Sequence, residues 1–159
     1  MKLRSSEKGA AVVEFAFLSL LLLVFVFGII EFGFIWVQSH YVANAAREGA
    51  RVATKKAAAD DRPTAAKDAV KDSLRVFFMY GNKVDDADFL AITVSEEDLP
   101  MGSPLPIPPR LIKVTVTAQS GQIWKPILWP LLNLLPGGDI FPEDYLTSIT
   151  QSASFVIVK

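Results

Sequence analysis

The sequence predicts an α+β chain. A long N-terminal transmembrane helix continues into a small globular domain of one further helix and a three-stranded antiparallel sheet. Three observations carry this. Residues 10–37 form an almost uncharged apolar run. Residues 42–77 keep apolar and small residues at helical spacing. After Gly81 the apolar period falls to two.

The apolar run comes first. Its only charges are Glu14 and Glu31, and it exceeds the ~20 residues a helix needs to cross a bilayer. Its Leu, Phe, Val and Ile residues contribute about −5 to −11 kcal/mol on insertion scales, against about 3 kcal/mol at most for a central acid. Neither acid is central. Both fall near the rims of a hydrocarbon core about 30 Å thick, so insertion wins. Lys2, Arg4 and Lys8 precede the run with only Glu7 opposing them, whereas Arg47, Arg51, Lys55 and Lys56 lie well beyond its end. The positive-inside rule then sets the N-terminus in the cytoplasm and the bulk of the chain outside. The run is also longer than the apolar stretch of an ordinary secretory signal, although Ala43, Asn44 and Ala45 form an A-x-A that keeps cleavage there as a rival.

The helix is expected to continue to about residue 58. Val42, Ala45, Ala46, Gly49, Ala50 and Ala53 share one face, and Asn44, Arg47, Glu48, Arg51 and Lys55 the other. The small face permits close packing. It serves either docking onto the chain's own domain or contact between subunits. This divides the chain into a leader at 1–9, the membrane helix at 10–37, its extension at 38–58 and a globular domain at 59–159.

Asp60, Asp61 and Pro63 mark a turn and a second helix start. Ala66, Val70, Ser73, Leu74 and Phe77 form its stripe, and Gly81 with Asn82 its stop. Leu90, Ile92 and Val94 alternate, as do Ile112, Val114 and Val116. A third run, rich in Ser, Thr and β-branched residues, covers 148–158. These read as three strands. Pro100, Pro104, Pro106, Pro108 and Pro109 exclude helix between the first two. Residues 119–147 form an apolar loop, too short and too interrupted by proline to span a membrane. Its Trp124 and Trp129, beside Lys125, suit a membrane interface or a partner surface; the alternative is that the loop folds over the domain's own sheet.

The catalytic inventory is thin. Cysteine is absent and His40 is the single histidine, which removes thiol chemistry and disulfides. A net charge of −1 gives no basis for nucleic-acid binding. Asp85, Asp86, Asp88, Glu96, Glu97 and Asp98 do not fit a calcium loop, because Leu90 and Ala91 fall where an oxygen ligand and a glycine are needed. They read as a solvated acidic surface, and His40 as a solvated helix residue. No phosphate loop, triad or HExxH occurs. An enzyme is not expected, nor any cofactor or metal.

Glu14 is the strongest signal. One reading is an acid at a helix start, favoured by the helix dipole. If the chain is cut after Gly9, Ala10 gains an α-ammonium one turn from Glu14, about 6 Å away or closer on the same face. In a bundle the carboxylate could instead meet the ammonium of a staggered neighbour.

Lys8 and Gly9 followed by AAVVEF resemble the cleavage region of type IV prepilins. GAAVVEFAF, then FGIIEFG at 27–33, then NAAREGARVA at 44–53 resemble more specifically the TadE-like pseudopilins of the tight-adherence (Flp) pilus systems. Where the Flp branch often has Tyr after the acid, this chain has Phe15. The resemblance is sharp over the first third of the chain. It implies a pilin-like fold and a minor pilin subunit of a bacterial pilus or secretion machine. It also implies cleavage between Gly9 and Ala10 by a prepilin peptidase, and Glu14 and Phe15 in assembly. Glu31 belongs to the family pattern too, and Glu31 and Gly33, with Ala46, Gly49, Ala50 and Ala53, are candidate helix-packing positions. For Glu31 two readings stand: an exposed acid at the outer rim, or a contact with a neighbouring helix. The implied partners are other pilin or pseudopilin subunits, the assembly platform and membrane lipid of the bacterial inner membrane. Two rivals remain: an uncleaved single-pass anchor displaying a binding domain, and a secreted domain released at the A-x-A.

Overall fold

A computed structural model describes residues 4–98, 110–124, 128 and 148–157, with side chains from residue 9 onward. Helix α1 is Arg4–Thr54 and helix α2 is Asp61–Arg75. Strands β1, β2 and β3 are Leu90–Asp98, Arg110–Ala118 and Ile149–Ile157. Short 3-10 turns occupy Gly81–Asp85 and Ser120–Gln122. This is the expected α+β plan of one long apolar helix, one further helix and a three-stranded antiparallel sheet. The proline-rich segment at 99–109 lies outside the described residues, as do 125–127 and 129–147, which include Trp129 and most of the apolar loop.

The chain forms two compact units. One comprises Met1–Ile35 and Pro126–Ile140, the other Trp36–Lys125 and Phe141–Lys159. The second holds the sheet, a meander in the order β1-β2-β3. Leu90 pairs with Ala118 at one end of β1–β2 and Asp98 with Arg110 at the other; Arg110 pairs with Ile157 and Ala118 with Ile149 across β2–β3. β2 alternates as its sequence demands. Ile112, Val114, Val116 and Ala118 are buried, while Lys113, Thr115 and Thr117 point away. On that polar face Thr117 and Thr150 share a 2.9 Å hydrogen bond.

The buried face of the sheet is covered by both helices. Val42, Ala45, Ala46, Ala50 and Ala53 of α1, and Ala66, Val70 and Leu74 of α2, are wholly buried. At Gly49 the layers approach closely. A Cβ placed there would meet Val70 Cγ2 at 2.6 Å, the Ala66 carbonyl oxygen at 3.0 Å and Val114 Cγ1 at 3.5 Å. The small face of α1 is therefore filled by α2 and β2 of its own chain. Beyond α2, an aromatic cluster closes one end of the core. Tyr80 stands edge-on to Phe77 and Phe89, with ring centroids 4.8 and 5.1 Å apart, and Tyr41 of α1 stacks on Phe77 at 4.4 Å.

Two boundaries differ from the sequence expectation. α1 stops at Thr54, short of 58. Its last turn tightens to the bonds Lys55 N–H to Val52 and Lys56 N–H to Ala53. Beyond that end the carbonyls of Lys56 and Ala57 accept hydrogen bonds from the buried Arg62 guanidinium, which holds the chain in its turn toward α2. α2 ends at Arg75, well before Gly81. The chain then turns so that Phe77 and Tyr80 both enter the core, while Val76 and Phe78 face outward. Gly81, at φ +41°, opens the following 3-10 turn, a conformation that glycine adopts without steric cost.

The close approach at Gly49 generates a test. Gly49→Ala forces a methyl into Val70 and the Ala66 carbonyl, and overpacking of this kind costs about 1–3 kcal/mol. Gly33→Ala meets nothing within 4 Å and changes only helix propensity, favourably by up to about 1 kcal/mol. Thermal unfolding of the full chain in detergent micelles should show a clear fall in midpoint for Gly49→Ala and none for Gly33→Ala.

Candidate functional site

The N-terminal part of α1 carries the sequence-predicted residues in one continuous helix. Gly9, Ala10 and Glu14 are exposed. No atom lies within 4 Å of where a Gly9 Cβ would stand. Ala10 and Glu14 are four residues apart, hence one turn apart on one face. Phe15 is 73% exposed, and Val12, Val13, Phe17, Leu22, Phe25 and Ile29 are open as well. The stretch Gly9–Thr54 is long and apolar enough to cross a membrane by length and composition. Unbroken apolar surface on this scale is unusual for a water-facing helix, and is consistent with a single membrane anchor.

Glu14 makes no hydrogen bond or ion pair among the described residues. It is also not at a helix start in the uncut chain. α1 begins at Arg4, which leaves Glu14 nearly three turns inside, at roughly 3.6 residues per turn. The dipole effect fades within the first turn, so it does not account for this acid.

Glu31 behaves differently. It is only 8% exposed. Its Oε1 accepts the backbone N–H of Leu128 at 2.6 Å. One turn earlier on the same face, Gly28 leaves room for Leu128, whose Cδ1 would sit 3.5 Å from an added Cβ. Gly28 and Glu31 thus form a seat for Leu128, which is helical where the sequence reading expected loop. The exposed-acid reading of Glu31 does not hold, because the acid is nearly buried; its partner Leu128 is itself helical, which the alternative of a contact with a neighbouring helix allows. The only sequence signal was the i, i+3 spacing of a glycine and an acid inside FGIIEFG.

The remaining predicted residues fall elsewhere. Ala46, Gly49, Ala50 and Ala53 belong to the core described above, Gly33 is half-exposed in open space, and Trp124 is half-buried after the Ser120–Gln122 turn. His40 is exposed and meets Trp36 edge-on at 4.8 Å. Of the acids singled out above, Asp85, Asp86, Glu96 and Asp98 have structural partners. Asp85 binds Arg75 and Lys71, and these hydrogen bonds, Arg75 foremost, hold its carboxyl below the usual range. Asp86 accepts the N–H of Asp88, and Asp98 pairs with Arg110. Glu48 is likewise lowered by its hydrogen bond from Arg51.

Three residues gave no signal strong enough to single them out. Gln38 is buried on α1 and accepts the Tyr80 hydroxyl at 3.4 Å. Burial pushes Tyr80 up to about 12. Extending the Val42–Ala46 stripe back by one turn would have found Gln38. Arg62 is 3% exposed and pairs with Glu96 at 3.2 Å. An arginine in the first turn of a helix reads as solvated, and nothing in its neighbours marks it as buried.

Residues 9–51 match the family model of TadE-like protein. The matched segment lies within α1. It includes Gly9, Ala10, Glu14, Gly28, Glu31 and Gly49, so both the exposed apolar surface and the close-packed face fall inside it. The match covers well under half of the chain and marks α1 as similar to the corresponding segment of TadE-like proteins; its exposed apolar surface is consistent with a membrane anchor. No curated protein and no solved structure matches the chain.

The Glu31 seat is testable at one amide. A hydrogen bond to a charged acceptor contributes about 1.5–3 kcal/mol, so Glu31→Ala should speed exchange of the Leu128 amide by about tenfold or more. Site-resolved hydrogen exchange in micelles reads this directly, with the Val114 amide in the sheet as the unchanged reference.

Proposed function

We propose that the chain is a minor pilin-like subunit of a tight-adherence pilus or related secretion apparatus. A prepilin peptidase cuts it between Gly9 and Ala10, and the processed helix then associates with other pilin or pseudopilin subunits and the assembly platform. It sits in the bacterial inner membrane with the leader in the cytoplasm and the α+β part outside. Its work is assembly rather than catalysis.

The observation that carries this reading is the geometry around Glu14. A charged leader, a glycine and an exposed acid five residues on lie in one helix, within the segment that matches the TadE-like family. The acid has no partner among the described residues. Cleavage makes one. The α-ammonium of Ala10 would stand one turn from Glu14, on the same face of the helix. In an assembled bundle the same carboxylate can bind the ammonium of a neighbour. A buried pair that loses one partner costs about 3–5 kcal/mol, enough to fix the stagger between subunits.

Two variants test separate steps. Gly9→Leu should abolish processing, so that mass spectrometry finds a species longer by the nine-residue leader; equal mature masses for variant and wild type would reject the cut. Met1 at the terminus of the wild-type protein would favour the uncleaved anchor. Glu14→Gln should be processed normally, because the peptidase reads the glycine and a neutral amide enters lipid more easily than an acid. Its recovery of other pilin-like subunits from membranes should fall well below wild type, and undiminished recovery would show that the charge sets no register.

A further inference from the structure

α2 and the turn after it bring the chain back along α1 to the end of the apolar run. Arg62 reaches the Lys56 and Ala57 carbonyls, and Ala66 and Val70 lie against Gly49. Phe77 then stacks on Tyr41 at 4.4 Å, and the Tyr80 hydroxyl donates to Gln38 at 3.4 Å. The two segments are thus antiparallel, and residues 77–80 stand level with Gln38–Tyr41. The 28 residues of the run, 10–37, make a helix about 42 Å long. That equals the ~40–45 Å of a bilayer with its headgroup regions, so the run closes at the headgroup layer. Gln38 and Tyr41 lie only about 2 and 6 Å further along α1.

The turn divides its side chains at this level. Phe77 and Tyr80 enter the core, whereas Val76 and Phe78 are 79% and 81% exposed. Phe78 stands edge-on to Phe77, with ring centroids 5.2 Å apart. Single exposed apolar residues are ordinary. Two in three residues, beside the end of a membrane span, form a surface that lipid would cover. Val37 and Tyr41, one turn apart and both exposed, join this surface to the apolar run. Trp36, exposed at the same end of α1, is of the residue type that concentrates at the membrane–water interface. We infer that Val76 and Phe78 insert into the headgroup layer from which α1 emerges, giving the α+β unit a second attachment to that membrane. Large apolar side chains gain by leaving water for the headgroup–acyl boundary. The inference rests on α1 crossing a membrane, as the proposed function requires.

Single-tryptophan chains give the test. In the full chain the three native tryptophans are changed to Phe, and one probe is added: Phe78→Trp at the patch, Leu22→Trp in the span, or Ala58→Trp in the exposed turn between α1 and α2. Each is reconstituted in vesicles of phosphatidylglycerol and phosphatidylcholine, the latter carrying either a headgroup nitroxide or bromine at mid-acyl carbons. The nitroxide should quench the Phe78→Trp probe several-fold more than the Ala58→Trp probe, and acrylamide several-fold less. Adding Val76→Asp should bring the Phe78→Trp probe back toward the Ala58→Trp values; an unchanged pattern overturns the part assigned to Val76. If bromolipid leaves the Leu22→Trp probe unquenched, α1 does not cross and both readings fall. If bromolipid quenches it while the Phe78→Trp and Ala58→Trp probes respond alike, the span stands and the second attachment is overturned. Protection of the Phe78→Trp probe from acrylamide without nitroxide quenching means that protein covers the patch, which also overturns the lipid contact.

Discussion

The globular part depends on how closely α1 approaches α2 at Gly49. At that point one helix backbone meets Val70, the Ala66 carbonyl and Val114 within ordinary or shorter contact distance of a missing methyl. The alanines on either side extend the same flat strip, so α1 lies against both α2 and the sheet. Large side chains on this face would separate the layers and open the core. Small ones give up burial per residue, since alanine contributes far less apolar area than leucine, but they bring the valines and isoleucines of β2 into one closed layer. The strip is therefore a packing device first. A face filled in this way by α2 and β2 does not remain open for a second subunit.

Much of this was legible from spacing. The period of two in β2 gives its buried face residue by residue, and the helical stripe of α2 through Leu74 is the one observed. Legibility fails where a long-range partner decides. The turn that follows α1 depends on Arg62 reaching back to the Lys56 and Ala57 carbonyls. The end of α2 depends on turning both Phe77 and Tyr80 into the core, which a helical continuation does not do. The role of Glu31 depends on a residue almost a hundred positions away, and the stretch that carries it has no periodicity to read. For the exposed helix the balance is reversed. Gly9, Ala10, Glu14 and Phe15 form a local pattern, so the site is read from sequence more readily than from contacts.

Charge follows a similar division. Several acids of the globular part lie on the surface and meet basic neighbours, as Asp85 does with Arg75 and Lys71. Such exposed pairs contribute little stability, typically about 0–1 kcal/mol each. Arg62 is the exception because it is nearly buried. Its guanidinium has the Lys56 and Ala57 carbonyls of the turn and Glu96 around it, and a buried charge held by several acceptors is costly to leave without them. The acidic stretch thus has two roles, one solvated face and one anchor for the turn between α1 and α2.

The two acids of the apolar run make the sharpest contrast. Both stand near a rim of the segment, and both pose the same physical problem of a carboxylate beside lipid. Glu31 is satisfied within its own chain by the Leu128 amide. Glu14 has no hydrogen bond or ion pair among the described residues, and in the uncut helix it is too far from the N-terminus for the dipole to help. An acid so placed is stabilised only if something outside those residues comes to it. A new α-ammonium at Ala10, or that of a neighbouring subunit, has the right charge at the right distance. The two glutamates thus differ in what satisfies them: one is held within its own chain, and for the other the proposed cleavage after Gly9 would supply a charge one turn away.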